Sequence, residues 1–428
     1  MFGVLTYKIM RKRAYIICKN LITMLFRSLY FVKHNFILAL FSTLLGFFFS
    51  GCALNDRMST FDYKGPVAKI QYDLFMVTVY VCLILFIIVA AALAWAVVKY
   101  RARKGDENKP MPKQGHGNPL IEVGLIGGSI LMLVVIAVPT VNAIWYTHQM
   151  PKDDQSSHLI SWYPNTQDIP SGEEDSVLII RATGYQWWWT FEYPQFGIRT
   201  ANEMVIPKGK TVRIELRAAD VIHSFWFPKF AGKVDLIPGR NNWMWIQADH
   251  EGHYYGQCAE FCGEAHAYML IRSDVVNEMD FANWVQHQTT PAPLPKERSL
   301  ASEGKKLFVT KTCVQCHRVD GHGYESLVGP DLSHIASRKS IGAGILENIR
   351  DDLPTKDYSG SSKFASAEHM IDTEKLRKNL FEWVRYSQKY KPGNLMYYPA
   401  NGLRNLDERG DFTDEDVHKI VDYLMTLK

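Results

Sequence analysis

Two stretches of this chain, Leu74 to Val98 and Val123 to Tyr146, contain no charged residue. Each exceeds the roughly 20 apolar residues that a helix needs to cross a bilayer. In hydrocarbon the backbone polar groups must be satisfied internally, so such runs are read as helices, and the pair predicts a transmembrane hairpin over 70–147. Between them stand Lys99, Arg101, Arg103, Lys104, Lys109 and Lys113, while the flanks outside the pair are poorer in Lys and Arg. Positive loops stay inside, so the loop 99–118 is expected in the cytoplasm and both outer ends of the hairpin on the other side.

What precedes the hairpin agrees with export. Residues 1 to 52 begin with Lys8, Arg11, Lys12, Arg13, Lys19, Arg27 and Lys33, and end in an apolar run, Phe36 to Phe49, before Ser50-Gly51-Cys52. That run is short for a spanning helix and suits a signal peptide over 1–51. Small residues ahead of Cys52 resemble the bacterial lipoprotein cleavage box, although Phe49 stands where an aliphatic residue is usual. The resemblance implies a lipidated Cys52 opening an exported segment, 52–69. The leader is long for a signal, which admits Met24 as the start.

Charge is spread unevenly along the 428 residues, and the net +4 averages unlike parts. Thr147 to Pro295 holds 11 basic against 18 acidic side chains, whereas Lys296 to Lys428 is nearly balanced at 21 to 20. No basic patch interleaved with stacking aromatics appears, which argues against a nucleic-acid partner. The seven cysteines are too few and too clustered for a disulfide framework.

From Ser176 to Arg272 short alternating runs (Val177-Leu-Ile-Ile, Val212-Arg-Ile-Glu-Leu, Trp243-Met-Trp-Ile) are separated by turn residues, the pattern of a β-sandwich or barrel. Within it Cys258-Ala-Glu-Phe-Cys262-Gly-Glu-Ala-His266-Ala-Tyr-Met269 concentrates two thiols, an imidazole and a thioether. These soft ligands suit copper cycling between oxidation states, and His223 is the best candidate for a second imidazole. A disulfide would leave the histidines and methionine without a role, and structural zinc rarely recruits methionine.

The spacing Cys-x-Glu-x-Cys-x3-His-x2-Met with a distant His resembles the copper-binding subunit II of haem-copper cytochrome oxidases. The resemblance implies a cupredoxin-like domain over 148–286 with a binuclear copper A centre. Cys258 and Cys262 would bridge two copper ions, His223 and His266 would each bind one, and Met269 and the Glu260 carbonyl would complete the set. It further implies a magnesium ion bound through the Glu260 side chain where subunit I docks. The densest aromatic run, Gly184-Tyr-Gln-Trp187-Trp-Trp-Thr-Phe, matches the family segment whose first tryptophan receives the donor's electron. Glu122 matches a glutamate at the mouth of a proton-uptake path, but Val123-Gly124 stands where the family has Trp-Thr.

A Pro-rich linker, 287–297, precedes Cys313-Val-Gln-Cys316-His317, the attachment motif for haem c. The segment 298–428 resembles class I cytochrome c, an all-α fold. The match includes Glu303-Gly-Lys-Lys-Leu-Phe, Val328-Gly-Pro-Asp-Leu, Trp383 and a final helix capped by Thr413. By that resemblance Met396 is the second axial ligand, with Tyr397 inserted before the usual proline; His334, His369 and His418 are its rivals. His/Met ligation leaves no open site and suits electron transfer.

The chain is thus read as the electron-input subunit of a respiratory terminal oxidase in a bacterial inner membrane, with its metal domains outside. Its expected partners are subunits I and III and a donor such as a cytochrome c. Bond chemistry, the reduction of oxygen to water with proton pumping, belongs to subunit I. The rivals are a copper A type nitric oxide reductase subunit and a copper-delivery protein. With a near-neutral haem domain, the tether is expected to outweigh charge in holding haem near copper.

Overall fold

The computed structural model describes residues 56–101, 115, 117–149, 177–352, 370–397 and 412–428, and places long helices on both uncharged runs. Helix α1 (Pro66–Tyr100) and helix α2 (Pro119–His148) each carry proline in their first turn, where its missing N–H leaves no intrahelical bond unmade. Asn118 Oδ1 caps α2 by accepting from the Leu120 amide. Side chains along the middle of the pair, among them Phe86, Val89, Leu93, Leu131 and Leu133, are exposed, as lipid-facing residues must be. The outer ends are instead tied to protein. Val67 and Ala68 are buried, the Ala68 amide donates to the Phe230 carbonyl, and Trp245 Nε1 donates to the Thr147 carbonyl at 3.1 Å. The leader 1–51, Cys52 and most of the loop 99–118 lie outside the described residues.

The outer domain is built from β1 (Leu178–Tyr185), β2 (Trp188–Tyr193), β3 (Ile198–Ala201), β4 (Glu203–Pro207), β5 (Val212–Ala218), β6 (His223–Trp226), β7 (Lys233–Leu236), β8 (Asn242–Ile246), β9 (Gly252–Cys258) and β10 (Leu270–Val276). They form two five-stranded sheets, ordered β3-β2-β1-β5-β8 and β4-β10-β9-β6-β7. Among the described strands, only β1/β5 and β4/β10 pair in parallel. Alternation decides which side is inside: Leu178, Ile180 and Ala182 of β1 and Val212, Ile214 and Leu216 of β5 are buried. On the outer face Arg181 reaches Glu192 and Glu215 on the neighbouring strands. Trp189, Phe191, Phe225, Phe227 and Trp245 fill the space between the sheets. Burial of each such phenylalanine contributes about 1.5–3 kcal/mol.

Helix α3 (Glu278–Thr289) follows β10 and packs Phe281 and Val285 against the sandwich. The first three residues of the expected linker are therefore its last turn. The rest is pinned rather than free: Ala292 is buried and its carbonyl accepts from His322 Nε2 at 3.1 Å.

The last domain packs α4 (Leu300–Thr310), α5 (Thr373–Tyr390) and α6 (Asp414–Leu424), with two short hairpins, β11 (Arg318–Val319) with β12 (Tyr324–Glu325) and β13 (Ser340–Ile341) with β14 (Leu346–Glu347). Thr413 caps α6 as predicted, in a reciprocal box with Asp416. Helices α4 and α6 cross so closely that a Cβ on Gly304 would lie 1.8 Å from the Lys419 carbonyl oxygen.

Asn55 to Lys428 forms a single unit, so the sandwich and the helical domain have a defined interface. Its centre is Glu203, buried at the start of β4, whose carboxylate accepts from the Lys339 amide (3.0 Å), the Ser340 amide (2.7 Å) and Ser340 Oγ (2.7 Å). Beside it Lys339 Nζ meets Asp274 Oδ1 at 2.7 Å, and His253 Nδ1 meets the same oxygen at 2.8 Å. Arg272 Nη2 donates to the Gly344 carbonyl at 2.8 Å, and the Leu270 amide donates to Ala343 O at 3.1 Å. Charge therefore holds these domains together in buried contacts. The overall charge balance could not reveal this, because it counts side chains without pairing them.

Candidate functional site

The loop between β9 and β10 carries the soft donors, and the strands fix its two ends. Cys258 closes β9 and pairs in register with Phe225 of β6, two residues from His223. His266 begins a short 3-10 turn, His266–Tyr268, and Met269 follows it directly. These elements bring together every donor that the spacing singled out. Cys258 Sγ lies 3.9 Å from Cys262 Sγ, 4.0 Å from His223 Nδ1 and 3.3 Å from the Glu260 carbonyl oxygen. Cys262 Sγ lies 3.5 Å from His266 Nδ1 and 3.9 Å from Met269 Sδ. Cys258, Cys262, His223 and Met269 are buried, while the Glu260 side chain is exposed.

A sulfur separation of 3.9 Å is nearly twice a disulfide bond length of about 2.05 Å, so these thiols stand apart as two donors. Three sulfurs, two imidazole nitrogens and a carbonyl, converging where the sulfurs and His223 are buried, form a set able to hold copper. Among the described residues, His223, Cys258 and Cys262 have ligand atoms all within 4.8 Å of one another. The thiol pair loses its first proton well below the usual range, because the remaining S–H of Cys262 hydrogen-bonds the Cys258 thiolate.

Asp220, which the sequence reading passed over, orients the distant imidazole. Its Oδ1 lies 2.8 Å from His223 Nε2, leaving Nδ1 turned to the sulfur. Burial disfavours charge on His223, yet the Asp220 carboxylate and the Cys258 sulfur raise its pKa above the ordinary value. Burial also pushes Asp220 up, but His223 and the Gln186 and Val221 amides outweigh it and hold the carboxyl low. Its position three residues before His223 was the available signal.

The aromatic run divides by role. Trp189 is core, and Trp188 stacks on Tyr185 with ring centroids 4.4 Å apart. Trp187 faces the loop: its Nε1 donates to the Cys262 carbonyl at 2.9 Å, and Gln186 Nε2 donates to the same oxygen at 2.7 Å. The other side of Trp187 lines a cavity that continues into the helical domain, where Cys316, His317, Gly329, Pro330, Trp383 and Met396 form its wall. Gly393, at φ +79, lets the chain pass this ring; a Cβ there would lie 3.2 Å from the Trp187 Cη2 atom.

His317 Nδ1 donates to the Pro330 carbonyl at 2.8 Å, which leaves Nε2 free for a metal. Cys313 and Cys316 lie on and just after a 3-10 turn, with Cys316 exposed. Met396 shares the cavity with His317, whereas His334 and His418 do not line it; His334 donates from Nδ1 to the Lys428 carbonyl, and His418 stacks on Phe381. His369 lies outside the described residues. The Cys316 thiol, an imidazole and a thioether around an otherwise largely apolar cavity, with Cys313 on the adjoining turn, fit a covalently held haem. Glu122 sits in the exposed first turn of α2, remote in sequence from both centres.

Two family profiles match the chain: cytochrome c oxidase subunit II, periplasmic domain, over residues 197–276, and cytochrome c over residues 301–428. Cytochrome c oxidase subunit 2 of Alkalihalophilus pseudofirmus is 31% identical over 385 residues, covering 90% of this chain and 95% of the relative. That of Bacillus subtilis is 27% identical over 408 residues, covering 93% and 99%. A crystal structure of the periplasmic domain of subunit II of cytochrome oxidase from Bradyrhizobium japonicum is 41% identical, covers 26% of this chain and 92% of that one, and has a TM-score of 0.26. With two apolar helices, a cupredoxin-like sandwich and a cytochrome c domain in one chain, the protein belongs to the cytochrome c oxidase subunit II family.

Proposed function

We propose that this chain is the electron-input subunit of a respiratory terminal oxidase, taking electrons at a haem c and passing them through a binuclear copper A centre to subunit I, where oxygen is reduced to water. When bound, the haem iron and the copper pair supply reversible one-electron chemistry. Cys258, Cys262, His223, His266, Met269 and the Glu260 carbonyl would hold the copper ions, the two thiolates being shared between them and each imidazole serving one. Cys313 and Cys316 would hold the haem covalently, and His317 Nε2 and the Met396 thioether would be its iron ligands. Strand-anchored ligands limit rearrangement when charge changes, which favours rapid transfer.

The observation that carries this reading is Trp187. Its ring lines the cavity that His317 and Met396 share, and its indole N–H bonds the carbonyl of Cys262, one of the thiol residues. One side chain thus spans the distance between the two candidate centres. On this reading the exposed Glu260 carboxylate would contribute to a magnesium site against subunit I, and Glu122 would serve proton uptake at the cytoplasmic face. Lipidation at Cys52 would add a third attachment to a bilayer that the hairpin already crosses. Subunit III and a cytochrome c-type donor complete the proposed partners.

The test is anaerobic mixing of the purified complex with a reduced donor, following haem absorbance and the near-infrared band of mixed-valence copper. Haem should be reduced first and copper after it, followed by oxygen consumption on aeration. Copper reduced ahead of haem would refute the order. Turnover of nitric oxide in place of oxygen would assign the chain to the rival reductase.

A further inference from the structure

Lys391 is 3% exposed, yet it carries an amine. Its Nζ crosses the domain interface to donate to the Trp187 carbonyl at 2.8 Å, and stands 5.8 Å from the centre of the Trp383 ring. Asn394 Nδ2 and the Ser387 carbonyl tie down the Lys391 backbone, so the side chain has a fixed origin. The lysine also lines the cavity that holds His317 and Met396.

The charge on that cavity wall is one-sided. Its described lining contains Arg338 and Lys391 and no Asp or Glu. Arg338 donates to the Asp331 carbonyl, and Lys391 to the Trp187 carbonyl. Burial pushes the Lys391 pKa down to about 7, against the opposing pull of Cys262. A buried ammonium with only carbonyl and ring contacts is costly, and the shortfall is removed by an anion brought in from outside the wall. The group this cavity fits carries carboxylates of its own.

We propose that Lys391 is the positioning residue between the two centres: its ammonium faces a haem propionate on one side and holds the Trp187 carbonyl on the other. The proposal rests on the electron route through Trp187 and adds the residue that sets the register of that route. A lysine here serves two neighbours at once, because its three donors radiate from a single nitrogen. The same cation stabilises the reduced haem relative to the oxidised one, since reduction removes positive charge from the iron.

The test uses the full-length chain in its complex, carrying haem and copper, with Lys391→Met, Lys391→Arg and Lys391→Gln. Potentiometric titration gives the haem midpoint, and flash-induced reduction gives haem-to-copper transfer. Lys391→Met should lower the midpoint and, despite the larger driving force to copper that this gives, slow transfer by about tenfold through loss of the Trp187 contact, the scale of one charge-assisted hydrogen bond, with the near-infrared copper band unchanged. Lys391→Arg, which keeps the charge, should restore the midpoint. Lys391→Gln keeps a donor without charge, and should show the lowered midpoint with transfer faster than in Lys391→Met; it also serves if the methionine variant fails to accumulate. Parental midpoint and rate in both uncharged variants would overturn the proposal, as would equal loss in Lys391→Arg. A parent chain without haem-to-copper transfer would sink the route itself, whereas parental transfer unaffected by loss of the amine would sink only the role of Lys391.

Discussion

Glu203→Gln should undock the cytochrome c domain without disturbing either set of candidate metal ligands. The carboxylate accepts three hydrogen bonds from Lys339 and Ser340, and it is buried. Hydrogen bonds to a charged group are worth about 1.5–3 kcal/mol each, and a buried donor left unmatched costs about 1–3 kcal/mol. Glutamine removes the charge and turns one oxygen into an amino group facing an amide donor. Because the three bonds share one group they do not add fully, and a net loss of about 3–4 kcal/mol is expected. That lowers the ratio of docked to undocked domain by roughly 150- to 1,000-fold. The tether still holds the domain at about millimolar effective concentration, so transfer should slow rather than vanish. In the parent, the Lys339 and Asp274 side chains are only 5% and 13% exposed, so ionic screening should leave haem-to-copper transfer nearly unchanged. In the variant, transfer must follow re-encounter and should become salt-dependent. Stopped-flow reduction of both chains at low and high ionic strength decides. Parental rates in Glu203→Gln would show that the tether alone suffices, and a steep salt dependence in the parent would show that the interface is solvated.

Three further outcomes follow from the same contacts. Cys258→Ser or Cys262→Ser should abolish the near-infrared band of paired copper while haem content survives, since one thiolate cannot bridge two ions symmetrically; a retained band would remove that cysteine from the ligand set. Glu122→Gln should slow oxygen turnover with both metal spectra unchanged, and equal turnover across pH would assign Glu122 to the membrane surface alone. Burial pushes the Asp274 carboxyl up, but Lys339 and His253 more than offset this and hold its pKa below the ordinary value. A depressed carboxylate contributes fully above its unfolded pKa of about 3.9 and is lost only as pH falls through the folded one, so its part in docking should stay constant from about pH 8 to about pH 5. Asp274→Asn should weaken docking throughout that range, read as slower haem-to-copper transfer; a parental rate would show that the Lys339 pair contributes nothing.

The two centres were legible because their chemistry is local. Cys258, Cys262, His266 and Met269 fall within one loop between adjacent strands, and Cys313, Cys316 and His317 within one turn, so sequence spacing translates nearly directly into space. His223 was reached from farther away, as the imidazole that follows the alternating Val212, Ile214 and Leu216 run, and Met396 through the resemblance to cytochrome c. The domain interface was not legible. Glu203, Asp274, Lys339 and Lys391 look like ordinary charged residues in sequence, and an isolated acid or amine is most often solvated. What distinguishes them is partners more than 60 positions away, as in Glu203 with Ser340, 137 residues apart, and Lys391 with Trp187, 204 apart. Charge summed over each domain pointed to the tether, because a sum is blind to four or five side chains buried against complementary groups.

That difference bears on why the haem and copper domains share a chain. A tether raises encounter frequency but does not select an orientation, whereas electron transfer depends on which edges face each other. Here orientation is set at several separate places. Glu203 and Asp274 hold the hairpin segment around Lys339, Arg272 and Leu270 hold Ala343 and Gly344, and Lys391 reaches the Trp187 backbone. Contacts spread over β4, β10 and the turn before β2 fix rotation as well as distance, which one ion pair could not. They also keep the cavity edge against Trp187, so on the proposed route an external donor would deliver its electron to another part of the cytochrome domain. On the proposed electron route the fused domain would be a fixed relay between donor and copper, and the linker is itself seated, the Ala292 carbonyl accepting from His322 Nε2 at 3.1 Å.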